Sequence, residues 1–138
     1  MIAILFSLFL IGISGTVCAQ TFSSLPESER NAKLIEVAKY VYKNPQWQNF
    51  YREYGTPEIE SFVREGVGRE NDPRSKKGPD LGSLIYVVIF RYDKTKESME
   101  WDYAAKVYIS DKGGMAYAIA LGNGIIFKFY EMKKNPIE

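Results

Sequence analysis

The chain has 138 residues, 18 basic against 17 acidic side chains, a formal net charge of +1 and 46% hydrophobic residues. That length fits one domain, and the balanced charge excludes a nucleic-acid binder that works through a basic surface. The apolar content excludes a disordered chain.

Residues 1–26 carry no charged side chain, and Ile2 to Ile13 is almost unbroken Ile, Leu, Phe and Ala. The small, mildly polar run Ser14-Gly15-Thr16-Val17-Cys18-Ala19 comes after it. This is the apolar core and cleavage region of a secretory signal peptide, with the cut expected between Ala19 and Gln20. No Lys or Arg precedes the apolar run, so only the terminal amine supplies positive charge there. A lipid on Cys18 and an uncleaved anchor are the two other readings, and they are the only routes to a membrane. All three place the folded part outside the cytoplasm, secreted or periplasmic. The remaining chain, residues 20–138, is expected to form a single α+β domain. It has no cysteine once Cys18 is removed, so packing alone must stabilise it.

The first half reads as helices. Ser24-Leu25-Pro26-Glu27 has the S-x-x-E pattern of a capping box, and Leu34, Ile35, Ala38, Val41 and Tyr42 recur at helical spacing. Asn44-Pro45 stops that helix and starts another, with Trp47, Phe50, Tyr51 and Tyr54 on one side and Gly55 at its end. Thr56-Pro57-Glu58 repeats the start signal, and Ile59, Phe62 and Val63 form a third stripe ending at Gly66. The expected helices are 25–44, 45–54 and 57–66. Residues 66–82, dense in Gly, Pro, Asn and Asp, read as a loop.

The second half reads as four strands. Ser83 to Tyr92 is a continuous apolar run. Met99 to Ile109 alternates, with Met99, Trp101, Tyr103, Ala105, Val107 and Ile109 on one side. Glu100, Asp102, Ala104, Lys106 and Tyr108 take the other. After the Asp111-Lys112-Gly113-Gly114 turn, Met115 to Leu121 alternates large residues with Ala116, Ala118 and Ala120. After Gly122-Asn123-Gly124, Ile125 to Met132 forms the last strand. Short turns make this an antiparallel meander. About three helices packed on a four-stranded meander give an α+β fold. The order is similar to cystatin-like and NTF2-like topologies, an analogy of element order that carries no function. The heavy face, with Trp101, Tyr103, Tyr117, Ile119, Phe127 and Phe129, is expected to meet the helices.

The missing residue types exclude much chemistry. Without His or a retained Cys there is no Ser-His-Asp or Cys-His nucleophile, and no usual zinc, copper or haem ligand set. Gly122-Asn123-Gly124 joins two strands and opens no helix, so it is no phosphate loop. Glu100 and Asp102 on one strand face are best read as solvated. Asn71, Asp72 and Asp80 lack the spacing of a calcium loop. Ser75-Lys76 lacks the S-x-x-K spacing. No catalytic residue, metal or cofactor is assigned.

Two surfaces stand out. Trp47, Tyr51, Trp101, Tyr103 and Tyr117 are candidates for a pocket between helices and sheet, with tyrosine hydroxyls facing a small ligand. Ala104, Ala116, Ala118 and Ala120, with Lys128 and Tyr130, are candidates for an interface on the opposite face, joined by Ile85, Val87, Ile89 and Ile126. The favoured reading is an exported, non-catalytic interaction module that binds a protein partner or a second copy of itself. The alternative is a small-ligand binder or carboxylate-based enzyme using the pocket.

Overall fold

A computed structural model describes residues 21–65, 79 and 82–129 of the chain. The signal segment, the interior of the 66–82 loop with Asn71, Asp72, Ser75, Lys76 and Asp80, and Tyr130 lie outside the described residues.

The main helix, α1, spans Glu27–Tyr42. Glu27 and Glu29 sit in its first turn, where the helix dipole favours negative charge. Leu34, Val37, Ala38, Val41 and Tyr42 are its buried stripe. The expected capping box does not form. Pro26 occupies the N-cap, and the Ser24 hydroxyl donates instead to Thr21 O at 2.7 Å, inside a 3₁₀ turn over Phe22–Ser24. That turn is pinned to the far end of the sheet. The Ser23 amide and hydroxyl both donate to the Asp111 carboxylate, at 2.7 and 2.9 Å. Phe22 meets Tyr86 edge to face at 6.2 Å.

Asn44 does cap the next element, accepting from the Gln46 amide at 2.9 Å. That element is a 3₁₀ turn over Pro45–Phe50 rather than a helix to residue 54, with Trp47 in a non-helical conformation. The reason is the indole. It turns into the core, where its Nε1 donates to Val41 O at 3.0 Å and its ring meets Phe127 and Phe129.

The expected third helix is a strand. Residues Glu58–Val63 form β1, antiparallel to β2 (Leu84–Phe90). Ile59 and Phe62 fit helical spacing, yet they face opposite sides: Ile59 packs on the helix-side core and Phe62 on the other face. A ten-residue helix over 57–66 is marginal by itself, whereas the edge of the apolar β2 offers a ladder of backbone partners. Pairing therefore wins over local pattern.

The sheet continues with β3 (Ala105–Ser110), β4 (Ala116–Leu121) and β5 (Ile126–Lys128), in the order β1-β2-β3-β4-β5, antiparallel throughout. The fold is α+β, with five strands and one main helix among the described residues. The strand expected from Met99 begins only at Ala105. Before it, the Tyr92 hydroxyl holds an irregular segment, donating to Trp101 O at 2.9 Å and accepting from the Met99 amide at 3.0 Å.

α1 packs against β2, β3 and β4. Its side of the sheet carries Tyr86, Val88 and Phe90 from β2, Ala105, Val107 and Ile109 from β3, and Ile119 and Leu121 from β4. Phe22 and Trp47 join the same cluster, so all three helical elements lie on one face.

Candidate functional site

The opposite face carries no helix among the described residues. Strand register orders its side chains into rows. One row crosses all five strands as Glu58, Ile89, Lys106, Ala120 and Ile126. The next crosses as Glu60, Val87, Tyr108, Ala118 and Lys128. Small residues make the floor: Ala118 is 0% and Ala120 2% exposed. Larger ones form a roof over them. Phe62, Tyr108 and Ile126 pack on Val87, Ile89 and Ala120, and Phe62 and Tyr108 pack on Ile85, Tyr117 and Ala118. Tyr108 is the hub, edge-on to Phe62 at 6.3 Å and tilted against Tyr117 at 6.2 Å.

Two irregularities put aromatic rings here. A register shift between Tyr108 and Ile109 leaves Tyr117 as an extra residue on β4. Tyr117 and its neighbour Ala118 therefore both belong to this face. Alternation also breaks at Ala104-Ala105, two consecutive residues buried in the helix-side core. This turns Tyr103 onto the helix-free side.

One corner is charged. Arg91 pairs with Glu58 and, at 3.0 Å, with Asp102. The hydrogen bond to Glu58 raises the Arg91 pKa further, against the opposing effect of burial. The Lys106 ammonium lies 4.5 Å from the centre of the Tyr103 ring, a cation–π contact. Burial pushes the Tyr103 hydroxyl above its ordinary pKa, and the Asp102 carboxylate adds to the rise. Trp101 stacks beside Tyr103 at 6.3 Å and is 51% exposed. Its indole sits against Gly124, where a Cβ would lie 2.7 Å from Nε1.

The five pocket candidates do not share a pocket. Trp47 and Tyr51 lie on the helix side, Tyr51 against Tyr42 at 4.7 Å. Tyr103 and Tyr117 lie on the other face, and Trp101 at its corner. The heavy face is thus divided: Ile119, Phe127 and Phe129 meet the helical side, while Trp101, Tyr103 and Tyr117 do not. Of the interface candidates, Ala118 and Ala120 are on the helix-free face, Lys128 shares the Ala118 row, and Ala104 and Ala116 are in the helix-side core. Sequence reasoning missed Phe62, because its segment reads as a helix. Glu100 and Asp102 fall outside any strand.

The helix side has its own concavity. A groove of about 530 Å³ opens beside Trp47, lined by Tyr40, Val41, Lys43, Asn44, Pro45, Gln46 and Phe129.

Comparison with protein-family models, with curated proteins and with solved structures finds no match to this chain.

Proposed function

We propose that the chain is an exported, non-catalytic binding module whose contact surface is the helix-free face of the sheet. One observation carries this reading: the roof of Phe62, Tyr108 and Ile126 covers the apolar floor of that face. Two lysines and two glutamates share its rows. Three of these four charges stand on the edge strands, around the central Tyr108, and an aromatic centre with a polar rim is the composition of a protein contact. The partner is a protein surface, a second copy included. The test is native mass spectrometry of gently purified protein beside Tyr108→Glu, with circular dichroism to confirm the fold. The reading expects an assembled wild type and a monomeric variant. Equal masses in a folded pair, monomers included, contradict it.

A second reading rests on the groove beside Trp47. Its volume and its Trp47 and Phe129 walls suit a small apolar ligand. The same spectra would then show extra mass per subunit, lost in Trp47→Leu and kept in Tyr108→Glu.

A further inference from the structure

We propose that the edge strand β1 accepts an extended, basic segment of a partner protein as a further strand of the sheet. This goes beyond the reading of the helix-free face, since it uses backbone groups at the rim of the sheet and not the roof around Tyr108.

The bonds at the strand ends fix which backbone groups face outward. The Arg64 amide donates to Ser83 O at 2.9 Å, so Arg64 turns its backbone toward the start of β2. Leu84 O accepts from the Asp111 amide at 3.0 Å, and Phe90 O from the Ala104 amide at 2.8 Å. The even-numbered residues of β2 therefore bond to β3 and the odd-numbered ones to β1. Ile85, Val87 and Ile89 pair with Phe62, Glu60 and Glu58, whose backbone groups point inward. Ile59, Ser61 and Val63 are left with an amide and a carbonyl each that point out of the sheet. Among the described residues no strand lies beyond them.

The two edges of the sheet differ. β5 has three residues, whereas β1 has six, paired with β2 in unbroken register and free of proline. A protected edge is shortened, bulged or interrupted by proline, and β1 is none of these. Its side chains define the visitor. Alternation puts Glu58, Glu60 and Phe62 on the helix-free side and Ile59, Ser61 and Val63 on the other. Arg91 answers Glu58, while Glu60 is exposed and belongs to no ion pair among the described residues. α1 packs over β2, β3 and β4, and Val63 is 53% exposed. An added strand therefore gains most with basic residues on the Glu60 side and apolar residues on the Val63 side. A second copy joined edge to edge would instead gather the glutamates of both chains on one face. In strand addition the main chain supplies affinity and alternate side chains supply specificity.

The test measures fluorescence anisotropy of two labelled peptides of about eight residues on the purified exported protein. One alternates Val and Lys, the other Val and Glu. The Val–Lys peptide is expected to bind at least about tenfold more tightly, and Glu60→Lys to cancel or reverse that order. Strand pairing has its own readout. In an antiparallel register the valines stand opposite Ile59, Ser61 and Val63, and their amides point at β1. N-methylation of the valines is expected to weaken binding at least about tenfold, and N-methylation of the lysines, whose amides point away, to leave it unchanged. Equal binding of the two peptides, or a preference that Glu60→Lys leaves intact, overturns the basic partner. Equal loss from both methylations, or none from either, overturns the added strand. A wild type that binds neither peptide overturns the whole proposal, including one that sediments as a dimer with its own copy on the edge.

Discussion

The two faces of the sheet are built from the same strands and filled in different ways. The helix face is a core in which residues of three strands, Tyr86 and Phe90 among them, meet the stripe of α1 and the rings of Phe22 and Trp47. The helix-free face has a floor of Val, Ile and Ala under Phe62, Tyr108 and Ile126, with Arg91 paired to Glu58 and Asp102 at one corner and Lys106 on the Tyr103 ring. A face whose only task is to be buried needs volume. A face that also meets a partner needs side chains with an apolar body and a polar end, which tyrosine and lysine both have. On the proposed function, the first face serves stability and the second serves recognition.

Adjacent residues on β3 test that division most severely. Val107 is 0% exposed and faces α1, whereas Tyr108 faces away. Val107→Glu buries an unpaired carboxylate and is expected to cost about 4 kcal/mol or more in urea unfolding. Tyr108→Glu is expected to cost less, about 1–3 kcal/mol, since Tyr108 is only partly buried. Similar losses at both positions would erase the distinction between the faces.

Gly124→Ala probes the corner between them. Gly124 has φ +85°, and a Cβ there would meet the Trp101 indole at 2.7 Å. The expected cost is about 1–2 kcal/mol. Trp101 emission should shift while that of Trp47, buried in the core, does not.

Asp111→Ala removes both Ser23 bonds and leaves the Phe22–Ser24 turn held by the Phe22 amide on residue 111 O and by the Phe22 ring on Tyr86. Chemical unfolding is expected to show a loss of about 1–2 kcal/mol. Hydrogen exchange at Ser23 should rise while exchange in α1 is preserved.

The smallest effect is a pH slope. Burial pushes the Tyr42 hydroxyl up to about 12, although the Arg52 amide that donates to it acts in the opposite direction. A raised folded pKa means that the native state holds its proton more tightly than the unfolded chain. Its contribution is complete below pH 10 and is lost as pH rises from 10 toward 12. Tyr42→Phe should flatten the fall of stability in that window. An unchanged slope would assign the fall to other tyrosines.

Much of this architecture was legible from pattern. The stripe Leu34, Ala38, Val41 and Tyr42 specifies α1, and the glycine-rich turns at 111–114 and 122–124 specify hairpins. The side occupied by each aromatic ring was not legible. Strict alternation groups Tyr117 with Ile119, but the shift beside Tyr108 moves Tyr117 to the opposite face. The same reasoning groups Tyr103 with Val107, but two consecutive inward alanines reverse it. Bulges of this kind depend on pairing between strands, which period counting along one strand does not contain. β1 was lost for a related reason: its six residues gain their partners only from β2. The alanines divide likewise, with Ala118 and Ala120 in the floor of the face opposite α1 and Ala104 and Ala116 in the helix-side core.

The proposed contact surface is the face of Phe62, Tyr108 and Ile126, and a single introduced thiol tests it most directly. A chain that starts at Gln20 has no cysteine of its own, so Tyr108→Cys then supplies a single thiol on that face. A thiol-reactive cross-linker should join Tyr108→Cys to its protein partner and leave Tyr54→Cys, an exposed position beside Lys39 and Phe90, unlinked. Linking at neither position, or equally at both, would contradict the account.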